Sequence, residues 1–277
     1  MKKILVPVDF SKQAEYAAKV ASQIAKKNNH EIFLLHMLDV PVGVVDPASF
    51  GSGNNAPTAL LFLQRAHEKF EEFKKLPFFD GLKISETVQF HKAYDGIIEE
   101  SLKRDVDLIV MGSQGASGLE EILVGSNTEK VVRNSKVPVL VIKEDVDNFD
   151  IKNVVFASNF NIKNRPSFQN ILNFTQEFDA TIHLLKINTI QNFESTKASS
   201  DAIRNFINGH DLQNYTLNIY NDKSIEAGIL NFSKLINADV ILLNTHGRKG
   251  LAHLFSNRIS EDLTNHSKLP VATFKLV

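Results

Sequence analysis

Residues 107–143 read DLIVMGSQGASGLEEILVGSNTEKVVRNSKVPVLVIK, and residues 239–275 read DVILLNTHGRKGLAHLFSNRISEDLTNHSKLPVATFK. The two stretches align without a gap and share Gly115/Gly247, Gly118/Gly250, Leu119/Leu251, Glu129/Glu261 and Ser135-Lys136/Ser267-Lys268. Two further pairs repeat in the same order, each 150 positions on: MKKILVPVDF from Met1 with IKNVVFASNF from Ile151, and HEIFLLHMLDV from His30 with ATIHLLKINTI from Ala180. Three ordered matches imply a duplicated unit, and the period is far too long for a solenoid repeat. Two globular domains are expected, 1–145 and 151–277, with the acidic EDVDNFD, Glu144 to Asp150, as the junction.

Within each copy, short β-branched runs alternate with helical patterns. Ile4–Val8, Ile32–Leu38, Ile84–Phe90, Leu108–Met111 and Val137–Ile142 read as strands, several of them apolar enough to be buried on both faces. Helices are expected at Ser11–Lys27, Ala59–Lys75, Tyr94–Arg104 and Ser126–Asn134. The second copy places strands near Val154, Ile182, Leu217, Val240 and Val271. Such alternation implies right-handed crossovers. The expected fold is therefore α/β: two tandem open parallel-sheet sandwiches of Rossmann-like type.

The chain has 277 residues and a formal net charge of −1. Residues 1–145 carry 18 basic and 20 acidic side chains, and residues 146–277 carry 13 and 12, so neither half projects the basic field that nucleic acid or an anionic membrane attracts. Cysteine is absent, which removes disulfides, thiolate catalysis and thiolate metal sites. Pro7 and Asp9 interrupt the N-terminal apolar run, and no later run is long enough to span a bilayer. A cytoplasmic location is expected.

The glycine loop of the first copy leaves the carboxyl end of a buried strand and enters a helix, where open α/β sheets bind ligands. Gly112 and Gly115 suggest a close backbone approach to a ligand or a positive φ, and Gly125 the same before the helix. Ser126 opens SNTE, which reads as a capping box with Glu129. A glycine-preceded helix start offers unpaired N–H groups to an anion, so phosphate is the expected ligand; turn formation alone is the competing reading. The spacing Gly112-x2-Gly115-x9-Gly125-Ser126 is neither a P-loop nor the dinucleotide fingerprint.

That spacing, with VPVDFS near the start, LLHMLDV on the second strand and the closing SKVPVLVIK, resembles the universal stress protein family, and the whole chain resembles its tandem members. The resemblance implies that the first copy binds ATP. Pro7, Val8 and Asp9 would lie at the adenine and ribose side or near a phosphate-bound cation, and Leu38, Asp39 and Val40 would contact the base. Met111, Gly112 and Gly115 would line the ribose and first phosphate, and Gly125, Ser126 and Asn127 the outer phosphates. Magnesium would arrive with the nucleotide, with Asp9 the nominated carboxylate. Asp9 also reads as a cap for the helix near Ser11, and Met111 as core.

In the second copy Gly112 becomes Asn244, Gly125 becomes Asn257, Ser126 becomes Arg258 and Asp9 becomes Asn159, while Gly247 keeps the place of Gly115. Side chains at 244 and 257 crowd a ligand, so this half is read as degenerate. Elsewhere, His36 reads as a hydrogen-bonded core or rim residue; His246, His253 and His266 lack metal-ligand spacing; Glu120 and Glu121 are expected to face solvent; and Pro41–Thr58 reads as an insertion after the second strand.

No nucleophile-base pair or carboxylate pair is recognisable, so no catalytic residue is nominated. The expected function is an ATP-binding stress or regulatory protein whose nucleotide state changes its contacts with a protein partner. Slow ATP hydrolysis, autophosphorylation or phosphotransfer, and a purely structural pseudo-dimer, are the alternatives. The apolar last strands, VPVLVIK and LPVATFK, need partners and can pair with each other within one chain; a homodimer of the whole chain is left open.

Overall fold

The computed structural model describes residues 3–38, 56–90, 92–114, 125–245 and 269–276. In the first half, β1 (Lys3–Pro7), α1 (Lys12–Asn28), β2 (Glu31–Met37), α2 (Ala56–Phe73), β3 (Ile84–Gln89), α3 (Ala93–Lys103), β4 (Leu108–Gly112), α4 (Ser126–Asn134) and β5 (Val139–Ile142) follow in turn. The second half supplies β6 (Asn153–Ala157), α5 (Phe168–Gln176), β7 (Thr181–Asn188), α6 (Thr196–Ile207), β8 (Tyr215–Asn221), α7 (Ile225–Leu235), β9 (Val240–Thr245) and β10 (Val271–Lys275). All ten strands join one sheet in the order β3-β2-β1-β4-β5-β10-β9-β6-β7-β8.

Pairing is parallel everywhere except at the centre, where β5 and β10 run antiparallel with Val141 opposite Val271 and Val139 opposite Thr273. The two apolar closing strands thus satisfy each other's edges inside one chain, as expected from their sequences. Lys275 Nζ adds a hydrogen bond to the Asn134 carbonyl at 3.1 Å across this seam. The expected strands and helices all form, with ends shifted by at most a few residues; α2 starts at Ala56, inside the stretch read as an insertion.

Strand alternation sorts the core. Ile4 and Val6 of β1, with Val154 and Phe156 of β6, enter one apolar cluster that runs through both halves under α1, α2, α5 and α6. Leu5 faces the other way into a cluster with Ile97, Val131 and Val132 of α3 and α4. Val155 does the same toward Ile229 and Phe232 of α7. Helix α1 can lie close to the sheet because its inner face is Ala14, Ala17, Ala18, Ala21 and Ala25, all buried.

The junction is a strap along α1. Lys19 pairs with Asp145 and Asp147 at 2.7 Å each, and Lys27 with Asp150 at 3.6 Å. Gln23 donates to the Val146 carbonyl at 3.1 Å and accepts from the Phe149 N–H at 2.6 Å. Between the halves, buried His30 meets Glu177 at 3.2 Å.

Candidate functional site

A cleft of about 170 Å³ opens at the carboxyl ends of β1, β2 and β4. Pro7, Val8, Asp9, Met111, Gly112, Gly125, Ser126 and Asn127, far apart in sequence, all line it. Parallel pairing of β1 with both β2 and β4 brings these strand ends level. Leu38 is not among the lining residues: its N–H donates to the Gln89 carbonyl at 2.8 Å, and β2 presents Leu35 and Met37 instead. Asp39, Val40 and Gly115 lie outside the described residues, as do Glu120, Glu121 and the three histidines 246, 253 and 266.

Sequence reading missed Ala93 and Ile97 at the start of α3, and Gln114 and Thr128 beside the glycine loop. The place of Ala93 and Ile97, just after the strand β3 that pairs with β2, was the only signal available.

The start of α4 departs from the expected capping box. Ser126 is the first helical residue, and the N-cap is Gly125, with φ −61° and ψ 144° and no side-chain cap. Glu129 pairs with Arg133 instead of reaching back. Two bonds fix this start: the Gly125 N–H donates to the Ser113 carbonyl at 2.8 Å, and the Thr128 hydroxyl donates to the Gly112 carbonyl at 3.0 Å. Glycine at the cap offers the helix its carbonyl, which accepts from the Glu129 N–H at 3.0 Å, but no side-chain oxygen. Among the described residues nothing accepts from the N–H groups of Ser126, Asn127 or Thr128.

By contrast, α1, α6 and α7 are capped by the hydroxyls of Ser11, Ser195 and Ser224. Helix α3, whose Ala93 lines the cleft, also starts without a side-chain cap. Two helix starts with positive dipole ends therefore meet the cleft, a field suited to an anion.

Packing by itself requires glycine at position 112. A β-carbon there would sit 2.8 Å from the Gln13 Cβ and 2.9 Å from its backbone, so glycine is what lets α1 close on β4. Neither Gly112 nor Gly125 has a positive φ, contrary to one of the sequence expectations.

Asp9 does not cap α1 itself. Its Oδ1 accepts from the Ser11 N–H at 3.1 Å and from the Ser11 hydroxyl at 2.6 Å, and Ser11 in turn accepts from the Ala14 N–H at 3.3 Å. It is the single charged side chain among the described residues lining the cleft. Met111 is both core and cleft floor, at 5% exposure. Behind the cleft, His36 Nδ1 bonds the Val8 carbonyl at 2.7 Å, and burial pushes its pKa below the usual imidazole value.

The second half is built differently at the matching places. Asn244 stands for Gly112 at 8% exposure, and neither polar atom of its amide has a partner among the described residues. Asn159 stands for Asp9 and accepts from the Asn161 N–H at 3.1 Å. The first turns of α1 are replaced by a 3-10 turn, Ile162–Ser167, containing Pro166. Asn257, Arg258 and Gly247 lie outside the described residues. No group of three metal-ligating side chains comes together among the described residues, and no described helix is long and apolar enough to cross a membrane.

Comparison with known proteins gives a consistent picture. The sequence pattern of the universal stress protein family matches residues 1–143 and 219–275. Universal stress protein MJ0531 of Methanocaldococcus jannaschii is 36% identical over 143 residues, covering 52% of this chain and 82% of the relative. Universal stress protein MJ0577 of the same organism is 32% identical over 155 residues, covering 51% of this chain and 94% of the relative. The crystal structure of a universal stress protein from Archaeoglobus fulgidus extends over 99% of this chain and 96% of its own, with a TM-score of 0.67 at 22% identity, a likeness of fold.

Proposed function

The chain belongs to the universal stress protein family, and from that premise we propose that its first half binds ATP in the cleft at the ends of β1, β2 and β4. The observation that carries the reading is the uncapped start of α4, where three N–H groups lie beside a ligand-sized opening with no protein acceptor among the described residues. Polyphosphate oxygens are the natural acceptors for such a set. The apolar floor of Leu35, Met37, Ile97 and Met111 suits the flat face of a base.

Asp9 supports magnesium as the companion ion. A carboxylate lining a phosphate site repels the ligand unless a cation lies between them, and Mg²⁺ characteristically takes one or two carboxylate oxygens with phosphate oxygens and water. In this reading the bound nucleotide acts as a regulatory ligand that alters contacts with a protein partner. That role requires ATP to bind the two states of the protein unequally. The second half, with Asn244 in the place of the close-packed Gly112, is assigned no nucleotide.

Calorimetric titration of the nucleotide-stripped protein with ATP and Mg²⁺ tests this. One site per chain is expected, lost in Gly125→Asn/Ser126→Arg, which places the second half's residues into the first. Absence of binding in the unaltered protein would reduce the uncapped helix to turn structure and remove the proposal.

A further inference from the structure

Residues 113 and 125 form a closed neck: the Gly125 N–H donates to the Ser113 carbonyl at 2.8 Å, and the Ser113 N–H donates to the Ile142 carbonyl at 2.9 Å. One side chain ties the helix beyond the neck to the sheet. Thr128 is 3% exposed, and its hydroxyl donates to the Gly112 carbonyl, 16 residues back, at 3.0 Å.

The geometry points to Thr128 as the positioning residue of the cleft, the group that holds the first turn of α4 against the end of β4 so that the N–H groups of Ser126 and Asn127 face the ligand. This rests on the reading of the cleft as an ATP site and says which part of the ligand depends on the bond. Thr128 sits in the third position of α4, so its own N–H belongs to the same uncapped set while its side chain points back to the strand. The backbone it grips is the one that Gln13 already crowds from the other side. The end of β4 is thus fixed between α1 and α4, and a hydrogen bond to it sets the helix start relative to the sheet rather than to a loop.

Removing the hydroxyl leaves the buried Gly112 carbonyl without its side-chain donor and frees the first turn to move away from the strand. The phosphate-facing N–H groups move with that turn. The base-facing residues Leu35, Met37 and Met111 sit on strands and do not.

The test is a comparison of ATP with adenosine, both titrated by calorimetry in the presence of Mg²⁺, for the unaltered chain, Thr128→Val and Thr128→Ser. Valine keeps the shape without the donor, and serine keeps the donor. Thr128→Val is expected to weaken ATP at least tenfold while leaving adenosine within about twofold, an expectation based on the worth of one hydrogen bond to a charged ligand. Thr128→Ser is expected to restore ATP binding. Equal weakening of ATP and adenosine would make Thr128 a merely structural residue and overturn the assignment, as would Thr128→Val binding ATP like the unaltered chain. Failure of the unaltered chain to bind ATP overturns the ATP reading itself, and this assignment with it.

Discussion

Phe10 and Phe160, 150 positions apart, hold the same left-handed backbone, with φ of 63° and 55°. Each follows the first strand of its half, and in each case the residue before it accepts from the residue after it: Asp9 from Ser11 and Asn159 from Asn161. Both rings are pressed into aromatic clusters, Phe10 against Phe70 at 5.2 Å and Phe160 against Phe206 at 5.4 Å. The turn that delivers residue 9 to the cleft is therefore held by packing against an unfavourable backbone.

That balance predicts an inverted order of stabilities. Phe160, at 3% exposure, loses its ring contacts equally in Phe160→Ala and Phe160→Gly, a cost of about 3–5 kcal/mol in either case. Glycine alone relieves the left-handed strain, worth about 1 kcal/mol. Urea denaturation is expected to find Phe160→Gly the more stable of the two. Alanine proving more stable would mean that the turn is not strained.

Acid should weaken the protein through its histidines. Burial lowers the pKa of His30, outweighing the attraction of Glu177, and burial also lowers His36, His183 and His210. For each, the unfolded chain takes up a proton more readily than the folded one. The stability they contribute is therefore present above the unfolded value of about 6.5 and is lost as pH falls from there toward the folded values. Urea midpoints measured between pH 7.5 and 5.5, a window set around that value, are expected to decline, and His30→Gln to flatten part of the slope. A midpoint that is constant or rises toward low pH would contradict the burial assigned to these rings.

The β5 edge sets the behaviour of an isolated half. Residues 1–145 produced alone lack β10, leaving buried, apolar Val139–Ile142 as an open edge. Such an edge pairs with another copy. Sedimentation is expected to show a dimer, and Val141→Lys, at the position facing Val271, a monomer. A monomer for the unaltered half would show that β5 is not sufficient as a pairing edge.

The fold was legible because its signals are local. Runs such as LIVMG and VLVI read as strands buried on both faces, and the repeat revealed that whatever the first copy forms, the second forms again. The bounds of α4 were read correctly but its cap was not, because the competitor to a Ser126 cap was not local: the Thr128 hydroxyl bonds a carbonyl at the end of β4. Gly112 was read as letting the backbone approach a ligand; that it also spares a clash with Gln13 is visible only once α1 is packed. Ala93 and Ile97 reach the cleft through parallel pairing of β2 with β3, a register that no stretch of sequence displays. Phe10 gave no warning either, since glycine or asparagine is the usual occupant of such a backbone.

The seam between β5 and β10 has a geometric consequence. Strands within each half run in one direction, and the single antiparallel pair reverses that direction between halves. The carboxyl ends of β1, β2 and β4 therefore point to one pole of the ten-stranded sheet, and those of β6, β7 and β9 to the opposite pole. The first half's cleft and the strand end that carries Asn244 therefore lie at opposite poles, so a ligand in the one does not share space with the other.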